Sequence, residues 1–369
     1  EMLTMIKIKK SFLLPFIASA LVLGGSQAFA LQITLKAAEF VHDVCLDKNC
    51  TTSEPVVMWG YDQVASPDEV ANPTIPGPVI ELPPGDTTLE ITLINELPLG
   101  TEPTSLIIPG LPLANGAGQP EFFIDGEGRQ RARSFVPEVA VGESRTYIWN
   151  NIAPGTYLYQ SGSHPAVQVQ MGLYGALVKD NAVIDNNTNE AYPGINYNMA
   201  GLLVFSEIDP VLHAAVANGE YGCQNCITST IDYQPQYFLI NAQPFPASKV
   251  VALGPQATPA PDKQLIIRMV NAGLRSVAPT FGSGTYGEVI AEDASLYPYP
   301  RKQYGGLLQP GKTKDAIATT PPRSADKFLF IYDRRLSLTN AAQSPGGFMV
   351  VGSYPSGGSN CFVQSLLGN

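Results

Sequence analysis

The same alternation of apolar and polar residues occurs twice in this chain, and this repeat is the strongest constraint on its fold. The segment LEITLIN at 89–95 has apolar residues at every second position before an asparagine, and LIIRMVN at 265–271 follows it at an offset of 176 residues. A period of two is typical of a β-strand with one buried face. Three further pairs of similar segments follow in the same order: 141–149 with 310–318, 157–159 with 328–330, and 172–178 with 346–351. A period of about 170 residues is too long for a solenoid, whose repeats have roughly 20–50 residues, so the pattern predicts two copies of one β domain.

Short segments rich in Val, Ile, Thr and Tyr lie between turn-forming residues along most of the chain, which has 34 Gly and 32 Pro. This pattern predicts an all-β protein made of β-sandwiches. Strong helical periodicity is nearly absent, and the best helix candidate is the short segment 209–218. Asn, Asp, Pro and Gly cluster in 180–200, which predicts a domain boundary there.

The first thirty residues have the pattern of a signal peptide. Three lysines at 7–10 precede an apolar stretch at 12–24, and Ala28 and Ala30 fit the small-x-small rule for cleavage. We therefore expect export to the periplasm or to the outside of the cell. The predicted organisation is a signal peptide at 1–30, a first β domain at 31–180, a linker at 181–200, a second β domain at 201–355 and a tail at 356–369.

Charge and hydropathy limit the classes of partner. The formal net charge is −10, with only 22 Lys and Arg. Nucleic acids and anionic membrane surfaces are bound through clustered positive charge, so neither is predicted as a partner. After the signal peptide no apolar run approaches the roughly 18 residues of a membrane-spanning helix, so no membrane span is predicted. The partner is left open as an unknown protein or small molecule, with a homo-oligomer as a further option.

The five cysteines predict disulfides, because export leads to an oxidising compartment. Closeness in the sequence favours the pairs Cys45–Cys50 and Cys223–Cys226. The fifth, Cys361, is free, pairs with another chain, or exchanges into either bridge. Cys223 and Cys226 also have the spacing of a thiol-redox or soft-metal motif, but the βαβ context of thioredoxin-like enzymes is missing.

Several motifs resemble the multicopper oxidases, the laccase-type family built from cupredoxin domains. In the first half these are TIPGPVI at 74–80, PGTYLY at 154–159 and QMGLYGAL at 170–177. In the second half they are YFLIN at 237–241, VNAG at 270–273, VIAED at 289–293 and LQPG at 308–311. The resemblance implies two tandem cupredoxin-like Greek-key β-sandwich domains, a copper cofactor and an oxidoreductase activity.

The copper ligands of this family do not carry over to this sequence. Where members of the family have His-Trp-His after Thr-Ser, this chain has Ile107 and Pro109, and where they have His-Ser-His after a tyrosine it has Gln160 and Gly162. One histidine, His164, lies two positions beyond the second motif. The whole chain has three histidines, whereas a blue-copper centre alone needs two imidazoles and a thiolate. We therefore predict no cofactor and no catalytic residue, with copper as the alternative.

The other two histidines are not predicted to have a functional role. His42 ends a strand and is expected to pack at the edge of the core or at the surface. His213 lies on the predicted short helix and is expected to be solvated.

Three functional hypotheses remain. The first is a non-catalytic binding or structural role, with Gln160, His164 and Gln168 as candidate ligand contacts. The second is a copper-dependent oxidoreductase with a reduced site at His164 and Met171, or with one copper held by His164 from each of three chains. The third is a copper-binding or thiol-redox protein that uses the Cys223 and Cys226 pair.

Overall fold

The structure is a computed structural model that describes residues 30–116, 120–223, 225–255, 263–282, 286–319 and 328–353. The predicted signal peptide lies outside the described residues except for Ala30, and Cys361 and the predicted tail also lie outside them. The all-β prediction is confirmed, because the described residues form 22 strands and only two helices.

The strands are β1 (Ala30–Cys45), β2 (Ser53–Val64), β3 (Ile80–Leu82), β4 (Thr88–Glu96), β5 (Glu121–Ile124), β6 (Gln130–Ser134), β7 (Ser144–Trp149), β8 (Gly155–Gln160), β9 (Tyr174–Lys179), β10 (Ala182–Asp185), β11 (Thr188–Tyr192), β12 (Ile195–Tyr197), β13 (Met199–Ile208), β14 (Tyr237–Ile240), β15 (Val251–Leu253), β16 (Gln264–Asn271), β17 (Pro279–Phe281), β18 (Gly287–Glu292), β19 (Ser295–Gln303), β20 (Thr313–Thr319), β21 (Phe328–Asp333) and β22 (Met349–Ser353). The helices are α1 (Pro165–Met171) and α2 (Pro210–Ala217).

Two sheets enclose the core of the first half of the chain. One has the order β2-β1-β4-β7 and the other has the order β3-β9-β8. Leu89, Ile91 and Leu93 of β4 are fully buried, as their alternation predicts. They share one hydrophobic cluster with Tyr159 and Leu177 from the other sheet. This half is therefore a sandwich with its own core.

The second half repeats the arrangement. Its larger sheet has the order β14-β13-β16-β20-β18-β19, and its smaller sheet has the order β17-β21-β22. Strand β16 pairs parallel with β13 and antiparallel with β20, just as β4 pairs parallel with β1 and antiparallel with β7. Leu265, Ile267 and Met269 are buried with Phe281 and Phe348 in a second core. The internal repeat predicted from the sequence is therefore present in the strand order.

A third hydrophobic cluster joins the two halves. It combines Met58 and Tyr174 from the first half with Leu202 and Ile266 from the second. The interval 181–200, predicted as a linker, carries the antiparallel strands β10, β11 and β12 and contributes to this cluster. The domain limits at 180 and 201 stay a prediction.

A buried ionic network lies beside this cluster. The guanidinium of Arg268, which is fully buried, lies 2.5 Å from an Asp180 oxygen and 3.3 Å from an Asp315 oxygen. The hydroxyl of Tyr192 donates to Asp315 at 2.6 Å, and that of Tyr197 donates to Asp180 at 2.7 Å. Residues from both halves therefore satisfy charges that would be costly to bury alone.

Two histidines also connect the halves. His42 Nε2 lies 2.9 Å from the Ala242 carbonyl, and His213 Nδ1 donates to the Val57 carbonyl at 3.0 Å. The prediction that His213 is solvated was wrong. Its side chain is buried because the inner face of α2 packs against β2, and this burial lowers the pKa of His213 to about 4. His213 is therefore a neutral interface residue at physiological pH.

Helix α2 forms where the sequence predicts it. The Asp209 carboxylate accepts the backbone N–H groups of Val211 and Leu212, and Pro210 begins the first turn. An aspartate N-cap followed by proline is a strong start signal for a helix. No helix in the described part of the chain has the length and apolar character needed to cross a membrane.

Both predicted disulfides are present in the structure. Cys45 at the end of β1 is bonded to Cys50, with 4.7 Å between the Cα atoms. Cys223 is bonded to Cys226 in the loop after α2, with 5.1 Å between the Cα atoms. Each bridge closes a short loop, so each restricts the backbone locally rather than joining distant parts of the chain.

Candidate functional site

The positions that the family resemblance assigns to copper ligands form a closely packed part of the first sandwich. The backbones of Ile107 and Gln160 exchange two hydrogen bonds of 2.9 Å. A side chain added at Gly162 would begin 2.6 Å from the Cγ2 atom of Ile107, 3.0 Å from the Oγ atom of Ser105 and 3.1 Å from a methyl group of Val136. An imidazole at position 162 does not fit unless its neighbours move.

Beneath these positions the interior is filled by hydrogen-bonded side chains. The hydroxyl of Ser161 donates to Gln168 and that of Ser163 donates to Glu138, both at 2.7 Å. Arg133 makes a bidentate ion pair with Glu138. Hydroxyl and amide oxygens are poor copper ligands, whereas imidazole and thiolate are good ones. The residues at this place therefore do not fit the copper centres that the resemblance implies.

His164 lies at the edge of this region, in the turn between β8 and α1. It is the N-cap of α1 and has a left-handed backbone, with φ 39° and ψ 61°. Its backbone N–H donates to the Arg133 carbonyl at 2.7 Å, and its ring Nδ1 lies 2.7 Å from Glu102 Oε2. A left-handed conformation is uncommon for a residue other than glycine. The turn and the carboxylate together fix the direction of the imidazole.

The imidazole of His164 faces a pocket of about 620 Å³. Aromatic rings flank it: the ring of Phe123 lies 5.0 Å away and that of Tyr221 lies 5.7 Å away, centroid to centroid. The walls come from the loop 98–102, the hairpin of β5 and β6, the end of α2, and residues of 219–222 and 228–230 that follow it. Segments that are distant in the sequence therefore meet around one histidine.

The hairpin of β5 and β6 touches the disulfide loop at its tip. A side chain added at Gly126 would begin 3.1 Å from the carbonyl oxygen of Gly222 and 3.3 Å from that of Cys223. A larger residue at position 126 would require the neighbouring backbone to move by a few tenths of an ångström, so glycine is favoured there. The hairpin therefore rests on Gly222 and Cys223, and Cys223 is one half of the disulfide. This contact closes one side of the pocket.

Carboxylates and one arginine supply the charge of the pocket. Asp125 accepts from the side chain of Arg129 at 2.8 Å and from that of Arg131 at 2.6 Å. The backbone N–H of Arg129, helped by the two guanidinium groups, holds the pKa of Asp125 well below its usual range. Glu39 accepts only from the indole N–H of Trp59, at 3.3 Å, among the described residues. Asp125 is thus paired with arginine, whereas Glu39 and Glu102 form no ion pair with a Lys or Arg in the described structure, and Glu102 interacts with Arg133 only at longer range.

The structure brings some of the predicted site residues together and separates others. His164 and Gln168 both line the pocket. Gln160 ends β8 and does not line it, and Met171 is fully buried in the core of the first sandwich. Because α1 rises about 1.5 Å per residue, the backbones of His164 and Met171 are roughly 10 Å apart along it. Among the described residues, no group of three or more His, Cys, Asp or Glu is placed to hold a metal ion.

The sequence analysis did not identify most of the pocket. Glu102, Phe123 and Tyr221 lie between 41 and 62 positions from His164 and belong to no motif. In the sequence, only the polar turn around His164 indicated a candidate binding site. These contacts depend on the packing of three loops, which no local pattern in the sequence predicts.

Comparison with known proteins supports the fold. Residues 61–182 match the family model described as multicopper oxidase. No curated protein matches the chain.

Solved structures match over most of the chain. The blue copper oxidase from Nitrosomonas europaea is 16% identical, with a TM-score of 0.61 over 87% of this chain and 84% of that one. The multicopper oxidase mgLAC is 16% identical, with a TM-score of 0.62 over 88% and 86%. The copper nitrite reductase from Nitrosomonas europaea is 17% identical, with a TM-score of 0.59 over 92% and 99%. At this level of identity the likeness extends to the fold alone.

Proposed function

We propose that this chain, whose residues 61–182 carry a multicopper oxidase domain within a two-domain cupredoxin fold, is a non-catalytic binding protein. The pocket at His164 is the binding site. The observation that carries the proposal is the contrast between the positions assigned to copper ligands and the neighbouring pocket. Packed apolar and hydroxyl groups fill the place assigned to copper, while the neighbouring pocket is open and has aromatic walls and oriented polar groups. Concave sites with a few convergent polar groups are where small ligands bind.

The location of the protein forms part of the proposal. The lysines and apolar stretch before Ala30 and the two disulfides support export to an oxidising compartment. A binding protein outside the cytoplasm meets small molecules from the environment. An assembly or structural role remains compatible with the same fold but gives no reason for an open pocket.

Blocking the pocket tests the proposal. Ala217, the last residue of α2, lines the pocket and is exposed, so Ala217→Phe should place a phenyl ring in the pocket and obstruct binding without disturbing the core. A small-molecule library is screened by thermal shift against the full chain. We expect compounds that raise the melting temperature of the native protein by a few degrees and have no effect on Ala217→Phe.

The matched control is Ala214→Phe, which adds the same ring to an exposed position of the same helix outside the pocket. Every compound that binds the pocket should stabilise this variant as it does the native protein. Compounds that stabilise all three proteins equally, or a diverse library without a single hit, would contradict a binding role for the pocket.

Copper at His164 is the second candidate, and one observation favours it. A carboxylate on one ring nitrogen, as Glu102 is on Nδ1, is also the arrangement that orients histidines toward metals. The full chain is incubated with Cu(II), desalted and analysed for metal by mass spectrometry. We expect the same copper content in the native protein and in His164→Ala. One copper per chain or per three chains, lost in the variant and accompanied by oxygen-dependent oxidation of a phenol, would support the oxidoreductase instead.

The Cys223 and Cys226 pair is a weaker candidate for metal binding. In the structure these cysteines are disulfide-bonded, so they present no thiolates, and thiolates are what capture copper(I). Their position against the hairpin tip supports a role in shaping the pocket.

A further inference from the structure

We propose that the ligand of the His164 pocket is an organic cation, a primary ammonium group carried on an aromatic or aliphatic body. This inference rests on the proposed binding function and adds the chemical class of the ligand. It is carried by the charges of the pocket, by its aromatic walls and by the hydrogen-bonding state of His164.

The uncompensated charge of the pocket is negative. Among its lining residues, Arg131 is the single Lys or Arg, and it is paired with Asp125 at 2.6 Å. Two carboxylates then remain, Glu39 and Glu102, and neither has a Lys or Arg within ion-pair distance among the described residues. An anionic ligand would be repelled by both groups, whereas an ammonium group would compensate them.

The apolar part of the pocket suits the rest of such a ligand. Phe123 and Tyr221 flank the imidazole of His164, and Trp59 forms part of the same wall. The faces of aromatic rings carry negative electrostatic potential and attract cations, with tryptophan the most effective of the three. The hydrocarbon body of the ligand can pack against Leu99 and Val216, which also line the pocket.

Three hydrogen-bond acceptors of the site are relevant to an ammonium group, His164 Nε2 and the carboxylates of Glu39 and Glu102. In the neutral ring of His164, Nδ1–H donates to Glu102, so Nε2 is left with a lone pair. No hydrogen-bond partner of Nε2 lies among the described residues. The indole N–H of Trp59 already donates to Glu39. An ammonium group can donate one N–H to Nε2, while the negative charges of the two carboxylates attract it over a longer distance.

Three probes with the same ring test whether the pocket prefers a cationic, a neutral or an anionic ligand: phenethylamine, 2-phenylethanol and phenylacetate. Their binding to the full chain is measured by calorimetry at pH 7 and low ionic strength. We expect phenethylamine to bind at least about tenfold more tightly than the alcohol, because both carboxylates and the ring faces favour the cation, and phenylacetate to bind most weakly. Added salt should weaken the binding of the amine and leave that of the alcohol unchanged.

Variants that remove one negative charge each test which carboxylates are responsible for binding the amine. Glu39→Gln and Glu102→Gln should each reduce the affinity for phenethylamine severalfold, and together they should bring it to the level of the alcohol. Glu143→Gln removes one charge from an exposed position outside the pocket and should change nothing. Equal affinity for the three probes, or a preference for phenylacetate, would overturn the cation assignment while leaving a binding pocket in place. If Ala217→Phe binds the amine as the native protein does, the pocket is not the site and the proposed function itself fails.

Discussion

Replacing Arg268 with methionine should lower the free energy of unfolding by about 3–5 kcal/mol, because one partner of a buried ion pair is lost while the other stays buried. The guanidinium neutralises Asp180 and Asp315 at the junction of the two halves. Burial already raises the pKa of the Asp315 carboxyl, and Arg268 opposes that rise. Without Arg268, the structure must bury an unpaired carboxylate or take up a proton. Chemical denaturation at pH 7, followed by circular dichroism, measures the loss.

The control is Arg301→Met, which removes an arginine from the exposed strand β19 and should change the free energy of unfolding by less than about 0.5 kcal/mol. Adding Asp315→Asn to Arg268→Met should recover part of the loss, because the unpaired charge is then gone. A loss of less than about 1 kcal/mol for Arg268→Met would mean that the network contributes little to joining the halves.

Gly162→Ala should destabilise the first sandwich by about 1–3 kcal/mol, the usual cost of forcing an extra group into a packed interior. The new methyl group would lie 2.6 Å from Ile107 Cγ2. The backbone of Gly162 is not in the left-handed region, so the effect is steric. The same denaturation assay measures it.

Two comparisons identify the cause of that loss. Gly85→Ala is the matched control, because nothing lies within 4 Å of the added group, and we expect it to be neutral or slightly stabilising. In the background of Ile107→Ala, the added cost of Gly162→Ala should be smaller, since the closest contact is absent and only those with Ser105 and Val136 remain. If the cost does not change in that background, Ile107 is not what excludes a side chain from position 162.

Much of the fold could be predicted from the sequence, because strand periodicity is a local signal. The alternation in β4 identified which side chains are buried, whereas β16 is buried on both faces, and the offset between the two strands identified the repeat. Asp209 and Pro210 marked the start of α2 for the same reason. In contrast, α1 was not predicted, because its seven residues are too few to show a helical period.

The site could be predicted only in part. The count of histidines opposed the usual copper centres, and the family resemblance indicated which side chains stand at the positions of the ligands. The burial of His213 could not be predicted, because it depends on the docking of α2 against a strand about 150 residues earlier in the chain. The pocket depends on a similar long-range event, the approach of the hairpin at Gly126 to Gly222 and Cys223.

That approach has a thermodynamic consequence. One wall of the pocket belongs to the first sandwich and another to the segment after α2, so the pocket is complete only when the two halves are docked. A ligand that binds only the docked state stabilises it by RT ln(1 + [L]/Kd). The ligand concentration and the strength of the contacts between the two halves then act on the same docking equilibrium. If the proposed binding function holds, adding the ligand should stabilise the docked arrangement of the two halves.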